Sequence, residues 1–319
     1  MSTPDYLLQP VNVLCVMLQF VFFHILSGMF DKLVIFGVGL IGGSAALALR
    51  KAGAVRRIVG VGRNAEALND ALRLGVIDAA ATPADAVKGA DLILLAIPVG
   101  QMSGVMSAIA PHLEAYTVIT DAGSTKCDVV AAARAHLGAH LPRFVPAHPI
   151  AGAEQSGVTA ARAELFTGKN AILTPLPETD PQALEKVRQF WQACGAKVSS
   201  MTPELHEQIF AAVSHLPHVL AYALVDEIAR RPNTEQLFGF AAGGFRDFSR
   251  IAASSPEMWR DICLANRDAI LAELDAYQTQ LTRLRQMIER GDGAALEAVF
   301  NNARDARNQW AHNRNNGNS

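Results

Sequence analysis

The sequence lacks an excess of charge of either sign. Its 28 Lys and Arg residues nearly balance 30 Asp and Glu residues, which leaves a formal net charge of -2. A chain with so little net charge has no general electrostatic attraction to nucleic acid or to anionic lipid. Charged residues make up only 18% of the total, whereas half of the 319 residues are hydrophobic. This composition excludes an intrinsically disordered chain and predicts a globular protein of about two domains.

Cysteine is scarce as well. Cys15, Cys127, Cys194 and Cys263 lie far apart in the chain, and no C-x-x-C pair occurs. This spacing favours neither a disulfide framework nor a zinc site, so we expect no bound metal. Isolated thiols are typical of a reducing compartment, which predicts a cytoplasmic protein.

Charge is absent from the apolar run Val11–Leu26. A helix that spans a bilayer needs about 20 apolar residues, whereas this run also carries Asn12, Gln19 and His24. A secretory signal begins with basic residues, but the charge that precedes this run is acidic. We therefore expect residues 1–29 to form an appendage outside the fold, such as one added by an upstream start codon. A membrane anchor is the alternative.

A glycine-rich loop follows the first apolar segment of the folded chain. The run Leu33–Phe36 leads directly into G-V-G-L-I-G, and an alanine- and leucine-rich segment comes next. This order predicts a buried strand, a tight turn and a helix whose N-terminal N–H groups bind a pyrophosphate. A glycine-rich turn that binds nothing is the alternative. The predicted cofactor-binding residues are Gly37, Val38, Gly39, Leu40, Ile41 and Gly42.

Short apolar segments alternate with helical ones as far as residue 180. Strands are predicted at Leu33–Phe36, Ile58–Gly62, Leu92–Ile97, Thr117–Thr120, Phe144–Ala147 and Ala171–Thr174. The alternation predicts a Rossmann-type α/β domain over residues 30–180, with a doubly wound and largely parallel sheet. In such a sheet the ligand lies beyond the carboxyl ends of the strands, which adds Pro98 to the predicted cofactor contacts.

Beyond residue 180 the strand pattern gives way to helical periodicity. Thr202 and Ser255 each precede a proline, and this pair is typical of an N-cap followed by the first helical residue. We therefore predict an all-α domain of four to six helices over residues 181–312. The polar residues 313–319 are expected to form a frayed tail.

The end of the second predicted strand bears on the choice of nucleotide. The acidic residue that binds the adenosine ribose of NAD is expected about 20 residues after the glycines. Gly62 and Arg63 occupy that position. Because a guanidinium would hold a 2′-phosphate and no carboxylate would repel it, NADP is favoured over NAD. The alternative is that Arg63 stacks on the adenine and that either nucleotide is accepted.

Polar residues follow two of the later predicted strands. Ser124 follows Thr117–Thr120 and opens a helix, so it is either an N-cap or a contact for a substrate oxygen. His148 follows an apolar strand between two prolines. A histidine there either accepts a proton near neutral pH or is an ordinary turn residue.

The predicted helical domain carries two further polar pairs. Ser214 and His218 are four residues apart and share a helix face, but no acidic or cysteine ligand joins them and His206 in a recognisable metal spacing. Arg246 and Arg250 would share a face if their segment is helical. Their apolar neighbours favour a partly buried clamp for an anion, and two solvated arginines are the alternative.

Five motifs follow one another between Phe30 and Trp310: G-x-G-L-I-G-G-S, D-A-G-S-T-K, H-P-I-A-G-A-E, S-H-L-P-H and G-F-R-D-F-S-R-I-A. In this order and spacing they resemble the prephenate/arogenate (cyclohexadienyl) dehydrogenases of tyrosine biosynthesis. The resemblance implies a nucleotide-binding domain joined to a helical domain that forms a homodimer. It also implies oxidative decarboxylation with NAD(P)+, in which C4 of the substrate ring loses hydride and the ring carboxylate leaves as CO2. The product is then 4-hydroxyphenylpyruvate or tyrosine.

The same resemblance implies roles for individual residues. His148 matches the family's catalytic histidine, which accepts the proton of the substrate's 4-hydroxyl, and Ser124 matches the residue that orients both groups. Arg250 matches the arginine that holds a substrate carboxylate, and Glu154 matches its acidic partner. Further substrate contacts are implied at Ser214, His218, Arg246 and Trp259.

Two other functions are compatible with a nucleotide-binding domain joined to helices. A β-hydroxyacid or imine-type reductase would use a lysine of the helical domain as acid and base, but no lysine occurs between Lys197 and Ser319. A nucleotide-binding sensor without turnover would need no histidine, serine and arginine around the nicotinamide. The sequence does not decide between prephenate and arogenate.

Overall fold

The computed structural model describes residues 28–152 and 155–316, which form two compact units. The first unit comprises the chain up to Ile97 together with Gly104–Ala122 and His136–Ser199. The second comprises Pro98–Ser103, Gly123–Ala135 and the chain from Ser200 onward. The predicted appendage lies outside the described residues, apart from its last two positions.

The first unit contains six strands of a parallel sheet. They are β1 (Phe30–Phe36), β2 (Val55–Val61), β3 (Ala79–Ala80), β4 (Leu92–Leu95), β5 (Val118–Asp121) and β6 (Phe144–Val145). Their order in the sheet is β3-β2-β1-β4-β5-β6, and each neighbouring pair is parallel. This is the doubly wound order of the Rossmann fold, which confirms the predicted fold class.

Helices connect these strands. They are α1 (Leu40–Lys51), α2 (Ala65–Arg73), α3 (Pro83–Ala86), α4 (Val99–Ile109) and α5 (Cys127–His136). The central strand β1 is buried on both faces over Leu33–Phe36, and Leu33 pairs with Ile58 on one side and Leu92 on the other. A strand covered on both faces needs a continuous apolar run, which explains why the sequence pattern located it correctly.

A second sheet of three strands lies in the same unit. It contains β7 (Ala147–Pro149), β8 (Asn170–Leu173) and β9 (Lys197–Ser200), and β7 pairs with β8 in antiparallel register. The expectation that Ala171–Thr174 would close the parallel series is therefore wrong. Pro146 has no N–H to donate to a ladder, so the chain leaves the parallel sheet there and β7 begins a new one.

Helix α6 (Pro181–Ala193) follows β8, and Asp180 caps it by accepting the N–H groups of Gln182 and Ala183. Its buried face joins the core of the first unit, where the rings of Phe190 and Trp191 lie 4.9 Å apart. Because this helix buries its apolar side chains against the sheet, the two units divide after Ser199 rather than after residue 180.

The second unit is helical. Its helices after β9 are α7 (Pro203–Phe210), α8 (Leu216–Ala229), α9 (Thr234–Gly239), α10 (Gly243–Ser249), α11 (Pro256–Ala265), α12 (Arg267–Glu289) and α13 (Gly293–Asn316). These seven helices of the described chain exceed the four to six expected. The predicted caps are confirmed, since Thr202 accepts the N–H of Leu205 and Ser255 accepts that of Met258. Helix α13 continues to Asn316, so the predicted tail is helical over its first residues.

A π-helical turn (Ala211–His215) joins α7 to α8 without a break. The resulting stretch Pro203–Ala229 is long and apolar enough to cross a membrane by length and composition, a test that core helices of soluble proteins also pass. It carries His206, Glu207 and His215, all of which are buried within the unit.

Candidate active site

The glycine loop has the geometry that its spacing predicted. Gly37 adopts a φ of +88°, and a side chain there would meet the backbone of Ala96 and approach Ile97 to 2.9 Å. A side chain at Gly42 would meet the carbonyl oxygen of Gly37 and approach Ile35 to 2.7 Å. Only glycine therefore permits both the turn and the close packing of α1 on β1.

Gly39 differs from these two glycines because its surroundings are open. Apart from Gly39 itself and its two chain neighbours, no atom of the described chain lies within 4 Å of the position that a Cβ would take. Gly39 also precedes α1, and among the described residues no side chain caps the N-terminus of that helix. A helix N-terminus with exposed N–H groups next to an open backbone fits the pyrophosphate of a dinucleotide.

Arg63 and Pro98, the predicted cofactor contacts after β2 and β4, lie in the segments that follow those strands. Arg63 is exposed and follows β2 by two residues. The adjacent Asn64 caps α2 by accepting the N–H groups of Glu66 and Ala67 at 2.9 and 3.1 Å. Pro98 follows β4, and its carbonyl accepts the N–H of Gln101 at the start of α4.

Asp121 holds the strand that carries His148. Its carboxylate is buried at the carboxyl end of β5 and accepts the N–H of Ala147 at 3.0 Å. His148 comes next in β7, is partly buried and pairs with Ile172 of β8. Because β5 and β1 run in the same direction, this bond fixes the histidine strand at the edge of the sheet where the glycine turn lies.

Ser124 does not cap a helix, so that part of the prediction is wrong. Helix α5 begins three residues later, at Cys127. A carboxylate from α7 supplies the cap instead: Glu207 Oε1 accepts the N–H of Cys127 at 3.1 Å and also that of Lys126. The serine hydroxyl is thereby left for other contacts.

Glu207 carries its charge in a buried position. Burial acts to raise the pKa of this carboxyl, but the nearby His206 ring and the hydrogen bonds from the N–H groups of Lys126 and Cys127 outweigh it, so the pKa is lowered. Nδ1 of His206 lies 3.8 Å from Oε1. The carboxylate is therefore ionised at neutral pH and complements the positive end of α5.

His215 is buried beside this carboxylate and remains neutral. Its Nδ1 lies 3.1 Å from Nδ2 of Asn266, which also donates to the backbone carbonyl of Glu207 at 3.0 Å. Because an amide nitrogen only donates, Nδ1 of His215 accepts and the ring proton is on Nε2. Burial lowers the pKa of His215 to about 4, although the charge of Glu207 acts in the opposite direction.

His218 has the opposite tautomer. Its Nδ1 lies 2.8 Å from the backbone carbonyl of Ser214, which can only accept, so Nδ1 carries the proton. Burial lowers the pKa of His218, the Ser214 carbonyl raises it, and the charge of Arg250 lowers it further. The ring stacks on Trp259 with centroids 3.8 Å apart. A neutral His218 therefore presents Nε2 as a hydrogen-bond acceptor.

Arg246 and Arg250 are both exposed, so the predicted partial burial is wrong, whereas their binding of an anion stays a prediction. Arg246 lies in α10, whereas Arg250 begins a 3-10 turn (Arg250–Ala253) after the helix has ended. The ring of Phe245 packs near Phe238, with centroids 5.9 Å apart, instead of covering a guanidinium.

The turn that carries Arg250 is tied to the helix that carries His218. The hydroxyl of Tyr222 in α8 donates to the carbonyl of Ser254 at 2.6 Å, immediately after the turn. This bond is consistent with the electrostatic effect of Arg250 on His218. The second unit thus brings an arginine, a neutral histidine and Trp259 into one neighbourhood.

The structure distributes the predicted residues between its units. The glycine loop, Arg63 and His148 belong to the first, and the second contains Ser124, Ser214, His218, Arg246, Arg250, Trp259 and Pro98. Glu154 lies outside the described residues. Sequence reasoning missed Asp121, Glu207, His215, Asn266 and Tyr222 as supporting residues, because each acts through a partner that is distant in the chain.

The first unit combines a dinucleotide-binding turn with a histidine at the carboxyl edge of its sheet, and a helical unit supplies serine, histidine and arginine. Together these features define a two-domain dehydrogenase that uses a nicotinamide nucleotide. Two family models match the chain: the prephenate dehydrogenase nucleotide-binding domain over residues 45–200 and the prephenate dehydrogenase dimerization domain over residues 202–302. The chain therefore belongs to the prephenate dehydrogenase family.

Individual relatives agree with the family models. The prephenate dehydrogenase of Bacillus subtilis is 40% identical over 88% of this chain and 76% of its own length. The cyclohexadienyl dehydrogenase of Zymomonas mobilis is 39% identical over 87% of this chain and 95% of its own. The crystal structure of prephenate dehydrogenase from Aquifex aeolicus, in complex with hydroxyphenyl propionate and NAD+, superposes with a TM-score of 0.82. It is 36% identical, and the match covers 88% of this chain and 98% of that one.

Proposed function

We propose that the protein catalyses the NAD(P)+-dependent oxidative decarboxylation of prephenate, arogenate or both in tyrosine biosynthesis. The products are 4-hydroxyphenylpyruvate or tyrosine, with CO2. The observation that carries the proposal is the match to both domains of the family, which extends over most of the chain at about 40% identity.

The proposed mechanism assigns one proton transfer to His148. Bound NAD(P)+ supplies the hydride acceptor for C4 of the substrate ring. As the hydride leaves, His148 accepts the proton of the 4-hydroxyl, and the hydroxyl of Ser124 orients both groups. The ring carboxylate then leaves as CO2, and its bonding electron pair enters the ring and restores aromaticity. The resulting phenolate oxygen takes a proton back, and the reaction is strongly downhill. The chain therefore has mainly to orient the substrate and remove one proton.

The assignment of His148 is supported by its place in the first unit. Asp121 anchors the preceding residue at the carboxyl end of β5, at the sheet edge that carries the dinucleotide turn. Since ligands of doubly wound sheets bind beyond this edge, an imidazole there is suited to act beside a nicotinamide.

Prephenate and arogenate each carry two carboxylates, and Arg250 is proposed to hold one of them, with Glu154 as acidic partner. Arg246, Trp259, Ser214 and His218 are proposed as further contacts. The tautomer of His218 supports a particular role. Its Nε2 is an acceptor, so it suits a hydroxyl or an ammonium donor better than a carboxylate.

The function is tested by following the formation of reduced nucleotide with prephenate and then arogenate, each with NAD and NADP. In His148→Asn we expect kcat to fall by about 10²–10⁴-fold, which is the usual worth of a general base, with little change in KM. His112→Asn is the matched control, because this exposed histidine precedes β5 rather than following it. Near-full turnover in His148→Asn would refute the assignment, and turnover of neither substrate by the wild type would refute the function.

Arg250→Ala tests the proposed carboxylate contact in the same assay. We expect mainly a higher KM for the substrate, because the lost contact binds ground state and transition state alike. Arg230→Ala is the control, since Arg230 is an exposed arginine that pairs with Asp226 at the end of α8. A loss confined to kcat would contradict the role given to Arg250.

We further propose NADP as the preferred nucleotide, on the strength of Arg63 and of the absence of an acidic residue at Gly62. Arg63 is exposed in the turn after β2, where a 2′-phosphate would lie. We also propose a cytoplasmic homodimer. The matched helical domain is a dimerization domain by description, and the second unit exposes large apolar side chains: Val213, Phe240, Leu264, Ile288 and Phe300.

A further inference from the structure

A buried polar cluster in the second unit contacts the segment Ser124–Cys127, called the Ser124 turn below. The cluster consists of Glu207 from α7, His215 from the π-helical turn, and Asn266 between α11 and α12. Their exposures are 6%, 1% and 5%. Burying three polar groups together is costly unless they are hydrogen-bonded to definite partners, so their contacts indicate what the cluster does.

Glu207 contacts one end of the Ser124 turn. Its Oε1 accepts the N–H groups of Lys126 and Cys127, which lie 80 or more residues earlier in the chain. The first N–H groups of a helix have no partner within the helix, and a negative charge is favourable at that end. Glu207 therefore caps α5 and fixes the direction in which the Ser124 turn enters it.

His215 and Asn266 complete the cluster through Glu207. One hydrogen of the Asn266 amide goes to the Glu207 carbonyl and the other to Nδ1 of His215, which leaves the ring proton on Nε2. The backbone of Ser124 acts on the same imidazole to raise its pKa, as a carbonyl facing a ring N–H does. Nε2 makes no hydrogen bond of ordinary length and angle to the described residues, so the Ser124 backbone influences the ring without a full hydrogen bond.

The π-helical turn is what lets Glu207 and His215 face the same segment. They are eight residues apart, whereas two turns of an α-helix take about seven residues. A π-helical turn inserts roughly one extra residue, so eight residues here complete about two turns. In a regular α-helix the imidazole would be rotated by about 80° around the helix axis from the carboxylate.

We propose that Glu207, His215 and Asn266 are positioning residues that hold the Ser124 turn so that the serine hydroxyl meets the substrate. This inference rests on the proposed function, in which Ser124 orients the substrate hydroxyl and His148. A misplacement of about 1 Å can lower the rate of an oriented reaction by about 10²-fold. The cluster thus acts on the rate of the chemical step through Ser124.

The test compares Glu207→Ala and Glu207→Gln with Glu204→Ala, an exposed carboxylate three residues earlier on α7. In Glu207→Ala we expect kcat to fall by about 10- to 10²-fold, with little change in KM for the nucleotide. Glu207→Gln should retain most of the activity, because an amide oxygen accepts the same two N–H groups. Glu204→Ala should resemble the wild type. Equal losses in Glu204→Ala and Glu207→Ala would overturn the proposal.

A double mutant separates positioning from a general effect on folding. In a Ser124→Ala background the serine hydroxyl is gone, so adding Glu207→Ala should lower kcat little further. A general structural defect would instead multiply the two losses. Multiplied losses would therefore refute the claim that Glu207 acts through Ser124.

Hydrogen exchange makes the test independent of activity. We expect amides of the segment 122–130 to exchange faster in Glu207→Ala than in Glu204→Ala or the wild type, measured by mass spectrometry. Unchanged exchange would refute the positioning role even if the enzyme is active. If the wild type turns over neither substrate but Glu207→Ala still exchanges faster than the wild type, only the proposed function is refuted. If Glu207→Ala does not fold, Asn266→Ala undergoes the same measurements, and unchanged kcat and unchanged exchange in that variant would refute the positioning role.

Discussion

Acid should destabilise this protein through His215. The folded pKa of this imidazole is about 4, whereas its ordinary value is 6.5, because burial disfavours the charged ring. Since the folded pKa is the lower of the two, the unfolded chain binds the proton more readily between pH 6.5 and pH 4. The contribution of neutral His215 to the free energy of unfolding is complete above pH 6.5 and is lost as the pH falls through this window.

The magnitude follows from the shift in pKa. Each pH unit inside the window changes the free energy of unfolding by about 1.4 kcal/mol. A pH of 5 lies about 1.5 units below the pKa of His215 in the unfolded chain. The free energy of unfolding of the wild type should therefore be about 2 kcal/mol lower at pH 5 than at pH 7.5 through this residue alone. In His215→Asn this loss should be absent, because an amide does not titrate and can still accept the N–H of Asn266.

The measurement is urea denaturation of the wild type, His215→Asn and His112→Asn at pH 7.5 and pH 5. For each protein we take the difference between the free energies of unfolding at pH 7.5 and pH 5. An overall destabilisation of a variant cancels in this difference. His112 is exposed and serves as the control. Between pH 7.5 and pH 5, His112→Asn should lose as much free energy of unfolding as the wild type. If His215→Asn lost as much stability as the wild type, the imidazole would not be neutral and buried in the folded chain, and the tautomer derived from Asn266 would fail with it.

Three further outcomes are expected. Gly39→Ala should weaken nucleotide binding without lowering Tm, because its Cβ would meet open space, whereas Gly42→Ala should cost about 1–3 kcal/mol of stability through its clash with Ile35. Arg63→Ala should lower kcat/KM with NADP while sparing NAD, and an unchanged preference would defeat the NADP assignment. Sedimentation should show a dimer that Leu264→Glu weakens, and a monomeric wild type would contradict the proposed homodimer.

The nucleotide-binding domain could be predicted because its signals are local. The apolar run of β1 and the spacing of Gly37, Gly39 and Gly42 encode a strand, a turn and a helix within about twenty residues. The caps at Thr202 and Ser255 were predicted for the same reason, since each acts on an N–H only three residues away.

The second sheet and the helical unit were predicted less well. The pattern of Ala171–Thr174 indicated a strand but not its partner, because antiparallel pairing with β7 depends on where Pro146 ends the parallel sheet. The segment of Arg246 and Arg250 was correctly suspected to be helical, but the helix ends before the second arginine. Where a helix stops is decided by competing contacts rather than by periodicity.

The sequence by itself determined the fold of the first domain, the family and the residue types available for chemistry, since these depend on local patterns and on motifs. Only the tertiary structure decided how those residues are held. The bond from Asp121 to Ala147 and the capping of α5 by Glu207 join segments far apart in the chain. The protonation of His215 likewise depends on burial and on Asn266, and no local pattern records which distant group will lie beside it.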